Sequence, residues 1–470
     1  GGVPVYTVGV GSERFRRDVE VAAVTAPTTA LSGSAVVAEV VLTHSGYDAA
    51  TIPVTVERDG RIMGTRDVTL DASGSTTVRV DFEAGEPGPA AFLFRVPVRE
   101  DELVDRNNER ERSIRVRSWR QKVLYFEGEP RHEVAFLRRA VADDPALQLV
   151  TLQRTDRDRY LRLAVDSAGE LAGGFPRTRQ ELFSYRGVVL GSVEASYFSH
   201  DQLAMLEAYV EERGGGLLLL GGRRALAEGG WSGTPPAEAL PVRLDPALAA
   251  DSTFHAPVTV TATRAAALHP ITRMDTAAPV TAWEGLPALT AFNRVGGLKP
   301  GATALLTGSG PGLPDGTPVL AWQRYGAGRT AVFAVQDSWL WQMHADIPLE
   351  DETHERLWRQ LLRWLVAGSA DPVMTELPAE PVAPGSPVEI RGSVRDAAFG
   401  GVNHATVTAA VIGPTGATRT VPLDWTVSRD GEYRGRFTPS ETGEHAVTIT
   451  ARYDSVAVTS EARAVSVAPS

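Results

Sequence analysis

A run of four leucines between two glycine clusters, at residues 214–224, constrains the fold of this chain most strongly. An unbroken apolar run without polar alternation is typical of a central strand that is covered on both faces. The glycine pair after the leucines predicts a sharp turn at the carboxyl end of this strand, leading into a helix. In open α/β sheets, ligands bind and nucleophiles lie at this edge. The residues of this turn are therefore candidate ligand-binding residues: Gly221, Gly222, Arg223 and Arg224.

Length and composition limit the classes of protein to which this chain can belong. At 470 residues it exceeds a single hydrophobic core and predicts about three domains. A net charge of −11 argues against a general nucleic-acid-binding surface, which requires a basic face. The absence of cysteine excludes disulfides, thiolate metal sites and a cysteine nucleophile. No run of about 18 apolar residues occurs, so we predict no membrane-spanning segment.

The amino-terminal part of the chain has the pattern of a β protein. Short strands separated by turns run through residues 13–117 and predict an immunoglobulin-like β sandwich. Asn107-Asn108 before the last strand resembles a corner of bacterial immunoglobulin-like adhesion modules, and a plain turn is the alternative. Residues 1–12 resemble the last strand of a von Willebrand factor A domain, from which we carry over no metal site. Because the chain starts at Gly1 within this strand, we interpret it as a piece of a longer protein.

The rest of the chain has an α/β pattern first and a β pattern after it. Residues 118–369 alternate strands with helices, which predicts a doubly wound, parallel sheet. We expect helices at residues 132–142, from the N-cap Ser199 to residue 213, and at residues 353–366. A proline-rich linker follows at residues 370–384. Residues 385–470 return to period-two alternation and predict a second immunoglobulin-like β sandwich.

The α/β segment resembles a known family. Its motifs are similar to those of bacterial class I glutamine amidotransferase-like domains, and they lie at residues 125–140, 214–222, 229–235, 240–242, 269–272, 325–329, 337–341 and 358–365. The resemblance implies a flavodoxin-like, doubly wound sheet. The expected fold class is therefore a multidomain α/β plus all-β protein, in which this sheet is flanked by two immunoglobulin-like β sandwiches. Such domains occur in large bacterial envelope proteins beside von Willebrand A and immunoglobulin-like modules.

The resemblance does not imply amidotransferase activity. Glutamine amidotransferases use a cysteine on a strand-to-helix elbow, activated by a histidine that a glutamate orients. Matching the elbow to this chain places Arg223 in the position of the nucleophile. A guanidinium is permanently charged and cannot attack a carbonyl. We therefore assign no catalytic residue.

Two clusters of polar residues are candidates for binding. Arg223 and Arg224 could hold a carboxylate or phosphate, and the alternative is that an arginine here pairs with a domain carboxylate such as Glu127 or Glu129. Glu127, Glu129, His132 and Glu133 crowd the loop and helix start after the first strand of the α/β segment. Favourable interaction of acidic residues with the helix dipole explains much of this cluster. A metal site there would need a second group such as Asp337 or His344.

Two further patterns have a functional and a structural interpretation. Ser338 with His344 and Asp346 could form a hydrolase triad, but no Gly-x-Ser-x-Gly elbow surrounds the serine. His354 on the last helix is expected at the surface. A set of tryptophans could line a binding face, and core packing is the favoured alternative because two of them lie among leucines at helical spacing. These residues are Trp322, Trp339, Trp341, Trp358 and Trp364.

The leading interpretation is a non-catalytic scaffold or binding module of a bacterial cell-envelope protein, with no cofactor and no metal. One alternative is a hydrolase that uses Glu129, His132 or Asp337 with water or a metal. Another is a sensor that holds an anionic small molecule at Arg223. We expect an extracytoplasmic location, protein partners in the envelope and no nucleic acid. Membrane contact is expected only through parts of the parent protein outside this chain.

Overall fold

A computed structural model of the chain describes residues 17–27, 29–86, 88–99, 102, 106–117, 120–250, 255–273, 283 and 285–468. The chain divides into two compact units, Gly1–Val116 and Arg117–Ser470. Residues 1–12, which resemble the end of a von Willebrand A domain, lie outside the described residues. No helix of the described residues is long and apolar enough to cross a membrane.

The first unit consists of two antiparallel sheets around one hydrophobic core. One sheet has the order β1-β3-β6 and the other β2-β8-β7-β4-β5. The burial of β3 alternates along the strand, and the buried side chains of both sheets pack in one cluster. The strands are β1 (Asp18–Thr25), β2 (Thr29–Leu31), β3 (Ala35–Ser45), β4 (Thr51–Arg58), β5 (Arg61–Thr69), β6 (Ser75–Glu83), β7 (Gly88–Arg95) and β8 (Glu109–Arg117).

The second unit begins with a nine-stranded mixed sheet of order β11-β10-β9-β12-β13-β17-β16-β15-β14. Its strands are β9 (Gln121–Glu127), β10 (Leu147–Asp156), β11 (Arg159–Leu163), β12 (Gly187–Leu190), β13 (Gly216–Leu220), β14 (Thr259–Ala262), β15 (Thr303–Gly310), β16 (Leu313–Tyr325) and β17 (Gly328–Phe333). The helices around it are α1 (His132–Ala140), α2 (Arg179–Phe183), α3 (His200–Glu211), α4 (Pro235–Ala239), α5 (Pro246–Ala250), α6 (Leu340–Met343) and α7 (Thr353–Ala367), with 3-10 turns at Ala195–Tyr197 and Arg264–Leu268.

Only the centre of this sheet has the predicted parallel arrangement. Strands β10, β9, β12, β13 and β17 pair in parallel, whereas β11 and β16–β14 pair antiparallel. The expectation of a parallel sheet was wrong for the outer strands, because short hairpins join β10 to β11, β15 to β16 and β16 to β17. Gly326 and Ala327 alone connect β16 to β17, and two residues are too few for the crossover that a parallel pair requires.

Strand β13 is the predicted central strand, and every residue from Gly216 to Leu220 is buried. Helix α3 begins after Ser199, whose hydroxyl accepts a hydrogen bond from the Gln202 N–H as an N-cap, which confirms the predicted start. The helix predicted after Gly222 is absent from this described stretch. Separate turns replace it, closed by the Ala225 N–H on the Gly222 carbonyl at 3.1 Å and by the Gly229 N–H on the Ala225 carbonyl at 2.8 Å.

The position of Leu226 explains why that helix does not form. Its φ of 51° places this residue in the left-handed region, which ends a right-handed helix. The Trp231 N–H then turns back onto the Leu226 carbonyl at 3.0 Å. Arg223 therefore does not lie at a helix N-terminus.

The carboxyl-terminal part of the second unit is an eight-stranded antiparallel β structure around its own core. Strand β18 lies inside the predicted linker and pairs with β19, so the β structure begins earlier than expected. The strands are β18 (Val373–Glu376), β19 (Val388–Val394), β20 (Thr406–Ile412), β21 (Thr418–Trp425), β22 (Glu432–Phe437), β23 (Gly443–Tyr453), β24 (Val456–Thr459) and β25 (Arg463–Val467).

Two arginines fasten the start of this β structure to the α/β part. Arg186 donates to the Ser369 carbonyl at 3.1 Å and pairs with the Asp371 carboxylate. Arg213, which is 3% exposed, donates to the Ala370 carbonyl at 2.8 Å. Its guanidinium also lies 4.1 Å from the centre of the Phe399 ring, a cation–π contact.

Candidate functional site

The carboxyl ends of four neighbouring parallel strands define the candidate site. Strands β9, β12, β13 and β17 end at Glu127, Leu190, Leu220 and Phe333. Because parallel strands end at one edge of their sheet, the loops that follow them meet there. We call this region the carboxyl edge, and it contains the predicted Glu127 and the Gly221-Gly222 turn.

Glu127 is fully buried at this edge and is surrounded by hydrogen-bond donors. Its Oε2 accepts from the Tyr125 hydroxyl at 2.7 Å and from Arg131 Nε at 2.7 Å. Its Oε1 accepts from the Ser192 N–H at 2.8 Å. A Cβ at Gly191 would lie 2.2 Å from Glu127 Oε2, so only glycine fits beside this carboxylate. The carboxylate is thus a packed part of the edge.

Arg131 joins Glu127 to the glycine turn. Its Nη1 donates to the Gly221 carbonyl at 2.6 Å while its Nε holds Glu127, and its side chain is 11% exposed. Burial by itself lowers the pKa of the Arg131 guanidinium, but the adjacent Glu127 carboxylate more than compensates and the pKa is raised. The sequence prediction missed Arg131, although its spacing of four residues from Glu127 was a usable signal.

Protein groups engage both peptide units of the Gly221-Gly222 turn. The Gly221 N–H donates to the Phe333 carbonyl at 2.7 Å. The Gly222 N–H donates to Asn293 Oδ1 at 2.7 Å, and Asn293 Nδ2 donates to the Gly222 carbonyl at 3.0 Å. Asn293 is fully buried. No local sequence signal pointed to Asn293, because it lies 71 residues from Gly222 along the chain.

The turn is also closely packed. A Cβ at Gly221 would lie 2.6 Å from the backbone carbon of Ala334, and one at Gly222 would lie 2.5 Å from the Cβ of Ser192. Contacts this short do not occur between real side chains, so both positions require glycine. The predicted sharp turn is present, but neighbouring chain segments fill the space around it.

Arg223 and Arg224 are exposed and lie outside this packed cluster. Arg223 Nη2 donates to His255 Nε2 at 2.8 Å. The backbone N–H of Arg224 donates to Ser192 Oγ at 3.0 Å, and its guanidinium lies 3.8 Å from the Glu194 carboxylate. An arginine of the turn thus lies beside a domain carboxylate, Glu194, but the suggested partners Glu127 and Glu129 were wrong, because Arg131 occupies that position at Glu127.

Glu129 and His132 contribute little to the packed edge. The backbone N–H of Glu129 donates to Glu127 Oε1 at 3.4 Å, and its side chain is half-buried. His132 is exposed, with its ring 5.4 Å from the Trp339 ring. Within the described ranges, no group of three or more His, Cys, Asp or Glu side chains is arranged to hold a metal ion.

A second buried polar cluster lies beside the first turn of α1. Ser338 Oγ contacts the Glu133 carboxylate and lies 3.1 Å from His354 Nε2. Trp358 Nε1 donates to Ser338 Oγ at 3.0 Å. All four residues are buried. Burial raises the pKa of Glu133 to about 7, and burial lowers the pKa of His354 to about 4.

This cluster corrects two predictions. His344 pairs with Asp346 at 3.5 Å, and neither residue has a recorded contact with Ser338, so the suggested triad does not assemble. His354 is fully buried instead of lying at the surface. The cluster also lacks the order of a catalytic triad, in which the carboxylate orients the histidine. Here Glu133 bonds to the serine, and no described residue forms a hydrogen bond with His354 Nδ1.

Asp337 is held next to this cluster at the end of the β17 loop. The N–H and hydroxyl of Thr290 donate to its Oδ2 at 2.7 and 2.6 Å. Burial raises the pKa of the Asp337 carboxyl. The suggested partnership of Asp337 with Glu129 or His132 has no recorded contact, since Thr290 holds the side chain.

The tryptophans mainly serve the core, which was the favoured alternative. Trp341 and Trp358 are fully buried, and both pack against Phe333 of β17. Trp322 and Trp364 meet edge to face with ring centres 5.3 Å apart. Trp339 is half-buried and stacks on Phe136.

One short motif was overlooked in the sequence. The spacing Asp-x-Ser-x-Ser, which forms the metal site of von Willebrand A domains, occurs at residues 71–75. In the structure it forms the turn between β5 and β6, where Asp71 Oδ1 accepts from the N–H and the hydroxyl of Ser73. These local bonds account for the motif as turn chemistry.

Comparison with solved structures gives only low similarity. A CARDB domain from Pyrococcus furiosus, in complex with di-metal ions, is 18% identical and covers 22% of this chain and 96% of its own, with a TM-score of 0.20. The Escherichia coli adhesin FdeC is 11% identical over 96% of this chain and 98% of its own, with a TM-score of 0.18. Dimeric latent PorU from Porphyromonas gingivalis is 8% identical over 97% of this chain and 34% of its own, with a TM-score of 0.19. Scores at this level carry no conclusion about fold or function.

Comparison with protein families is more informative, while no curated protein matches the chain. Residues 162–367 match the family described as "Putative glutamine amidotransferase". The match contains the Gly221-Gly222 turn, Asn293 and the Ser338, His354 and Trp358 members of the second cluster, whereas Glu127, Arg131 and Glu133 precede it. The second unit thus contains a glutamine amidotransferase-like domain.

Proposed function

We propose that this chain is a non-catalytic scaffold or binding module of a bacterial cell-envelope protein. In this proposal a flavodoxin-like, amidotransferase-like domain lies between two immunoglobulin-like β sandwiches and follows a von Willebrand A domain. Its setting is extracytoplasmic, with protein partners in the envelope and membrane attachment through parts of the parent protein outside this chain. The domain acts through its shape and surface and has lost amidotransferase chemistry.

The engagement of the Gly221-Gly222 turn by Arg131 and Asn293 is the observation that carries this proposal. Acyl-transfer enzymes need an exposed nucleophile and free backbone N–H groups for the oxyanion. The chain has no cysteine, and the Gly222 N–H already donates to Asn293. The side chain that stands at the elbow, Arg223, points instead to His255. Both requirements of the reaction are therefore unmet at this turn.

Restoring the missing thiol tests the proposal. We expect the full chain and the Arg223→Cys variant to release no more ammonia from L-glutamine than a protein-free blank. An active class I amidotransferase serves as positive control, and labelling of the introduced thiol by iodoacetamide shows that it is accessible. Ammonia release above the blank by the wild-type chain would overturn the proposal. Ammonia release by the variant alone would show that the thiol was the only missing group. It would also show that the hydrogen bond from the Gly222 N–H to Asn293 does not prevent the reaction.

Binding of an anionic small molecule at Arg223 and Arg224 is a second candidate function. Arg154 and Arg224 both approach Glu194, whose carboxylate is bound by both Nη atoms of Arg154 at 2.9 and 2.8 Å. Arg224 is left 3.8 Å from this same carboxylate, and no carboxylate of the described residues pairs with Arg223. Exposed guanidinium groups of this kind bind carboxylates and phosphates.

Titration with inorganic phosphate and with L-glutamate tests the second candidate. We expect heat of binding in calorimetry with the wild-type chain and none with the Arg223→Ala/Arg224→Ala variant. Arg179→Ala is the matched control, since Arg179 is also exposed but pairs with Glu212. Equal binding by all three proteins, or none by the wild-type chain, would exclude this function.

A further inference from the structure

A cleft of about 450 Å³ lies at the edge of the nine-stranded sheet where parallel strands begin. Its lining includes Lys122, the second residue of β9, and Tyr185, which precedes β12. Most of the loop of residues 166–177 and Glu181 of α2 form the remaining walls. The volume falls within the range of about 300–1,000 Å³ that is usual for small-molecule sites. We call this space the amino-edge cleft, and it is separate from the carboxyl edge at the other end of the strands.

The loop that lines the amino-edge cleft is fixed by side chains outside it. Arg162 Nη1 donates to the Ala168 and Glu170 carbonyls at 2.7 and 2.9 Å. At the other end of the loop, Gln202 Nε2 of α3 donates to the Pro176 carbonyl at 3.0 Å. A cleft whose walls are already held in place loses little conformational entropy when a ligand enters.

The floor of the cleft carries an uncompensated negative charge. Lys122 Nζ lies 2.7 Å from the carboxylates of both Asp166 and Glu170, and the Tyr185 hydroxyl donates to Glu170 at 2.6 Å. The bond from Lys122 lowers the pKa of Asp166. Burial alone raises the pKa of Glu170, but the bonds from Lys122 and Tyr185 more than compensate and lower it. Two ionised carboxylates therefore share one ammonium group.

A third carboxylate, Glu181, lies on the wall of the cleft. Its Oε2 accepts the N–H groups of Arg177 and Thr178 at 2.8 and 3.2 Å, and no hydrogen bond to its Oε1 is recorded from the described residues. Among the lining residues Arg177 is the only cation besides Lys122, so three carboxylates face two cations. The lining also has an apolar part, formed by Leu171, Phe175, Pro176 and the Tyr185 ring.

We propose that the amino-edge cleft binds a small organic cation. The ammonium, amidinium or guanidinium group of such a compound pairs with the carboxylates of Asp166 and Glu181, and its hydrocarbon part lies against the apolar lining. Both carboxylates are accessible, since the Asp166 side chain is 60% exposed and Glu181 is exposed. An anion would be repelled by the net charge of the lining, and a neutral compound would leave that charge unmatched.

Calorimetric titration of the full chain with benzamidine tests this site. Benzamidine joins an amidinium group to an apolar ring, and benzamide is its uncharged counterpart with nearly the same shape. We expect saturable heat of binding with benzamidine, and none with benzamide or benzoate at the same concentration and ionic strength. No saturable heat with benzamidine, or equal binding of benzamide, would overturn the proposal.

Three variants locate the binding. Asp166→Asn should weaken benzamidine binding about tenfold, because it removes a charge-assisted contact. Glu181→Gln should weaken it about threefold or more and leave α2 intact, because glutamine also completes a capping box with Thr178. Asp158→Asn is the matched control, since Asp158 is exposed in the turn between β10 and β11 and does not line the cleft. Wild-type affinity in Asp166→Asn or Glu181→Gln, or an equal loss in Asp158→Asn, would overturn the proposal.

Discussion

Glu127 and Glu133 are two buried glutamates at the same edge of the sheet, yet their surroundings differ. Glu127 contacts the Arg131 guanidinium, the Tyr125 hydroxyl and a backbone N–H. Glu133 contacts the Ser338 hydroxyl and a backbone N–H, and no ion pair is recorded for it within the described residues. Burial alone therefore does not decide how a carboxylate behaves. For Glu133, which lacks such a cation, burial raises the pKa to about 7.

The two glutamates also show two ways in which buried polar groups at the carboxyl edge are held in place. At Glu127 an ion pair and close packing fix the glycine turn. At Glu133 a chain of neutral hydrogen bonds joins the first turn of α1 to α7 through Ser338 and His354. The first arrangement is sensitive to the loss of a charge, and the second to pH.

Removal of the charged partner of Glu127 should have the largest effect. We expect Arg131→Met to destabilise the second unit by about 3–5 kcal/mol, because a buried carboxylate then lacks its cation. Denaturant unfolding followed by tryptophan fluorescence measures this loss. Arg179→Met, which breaks an exposed pair with Glu212, is the control and should cost less than about 1 kcal/mol. Adding Glu127→Gln to Arg131→Met should recover part of the stability, and no recovery would argue against the uncompensated charge as the cause.

The titration of Glu133 should give the next largest effect. In the unfolded chain this carboxyl ionises near 4.5, and in the folded chain near 7. Between these values folding takes up a proton, so its contribution to stability is lost as the pH rises through this window and remains absent above it. Relative to Glu133→Gln, the wild-type second unit should lose about 3 kcal/mol between pH 4.5 and pH 8.

Comparison with the variant is needed because His354 has the opposite pH dependence. Its pKa is lowered from 6.5 to about 4, so its contribution is lost as the pH falls through that range. Glu350→Gln, which removes a carboxylate at an exposed position, is the control. If Glu133→Gln behaves like this control, Glu133 does not titrate near neutrality.

The packing at the Glu127 side can be tested without changing a charge. A Cβ at Gly221 meets backbone on the neighbouring segment, so Gly221→Ala should destabilise the second unit by about 1–3 kcal/mol. Gly297→Ala is the matched control, since its nearest contact would be an ordinary 3.7 Å, and it should stay within about 0.5 kcal/mol of the wild-type chain. Equal denaturation midpoints for the two variants would mean that the turn has room to adapt.

The smallest effect is expected from the serine beside Glu133. The hydrogen bond from Ser338 lowers the pKa of Glu133 against the effect of burial. Ser338→Ala should therefore cost about 1 kcal/mol and move the midpoint of the pH-dependent stability difference upward. Ser192→Ala is the control, because Ser192 reaches Glu127 through its backbone N–H, which the substitution keeps. An unchanged midpoint in Ser338→Ala would separate the serine from the titration of Glu133.

Local signals predicted the elements of the fold well, and long-range pairing limited the rest. The leucine run identified β13, and Ser199 identified the start of α3, because both depend on neighbouring residues. The mixed sheet was missed because the direction of β16 depends on a two-residue hairpin at Gly326. A helix after Gly222 was predicted because a strand-to-helix elbow leads into one. Leu226 adopts a left-handed conformation instead, which ends a right-handed helix.

At the candidate site the sequence indicated the correct edge but the wrong arginine. Glu127 and the Gly221-Gly222 turn meet there, but they are joined by Arg131 instead of Arg223. A glutamate and an arginine four residues apart can be recognised in a sequence, but the sequence does not show that the pair is buried. Asn293 could not be predicted, because only the folded sheet brings it to Gly222.

The contacts of Arg186 and Arg213 cross the junction between the α/β part and the β structure that follows it, so they limit where the chain can be cut. A fragment ending at residue 369 would lack the Ala370 carbonyl and the Phe399 ring, and would expose a cation that is now buried. Recombination at that junction would therefore produce a domain with a damaged surface. We expect the α/β part and the β structure after it to be inherited together as a single module.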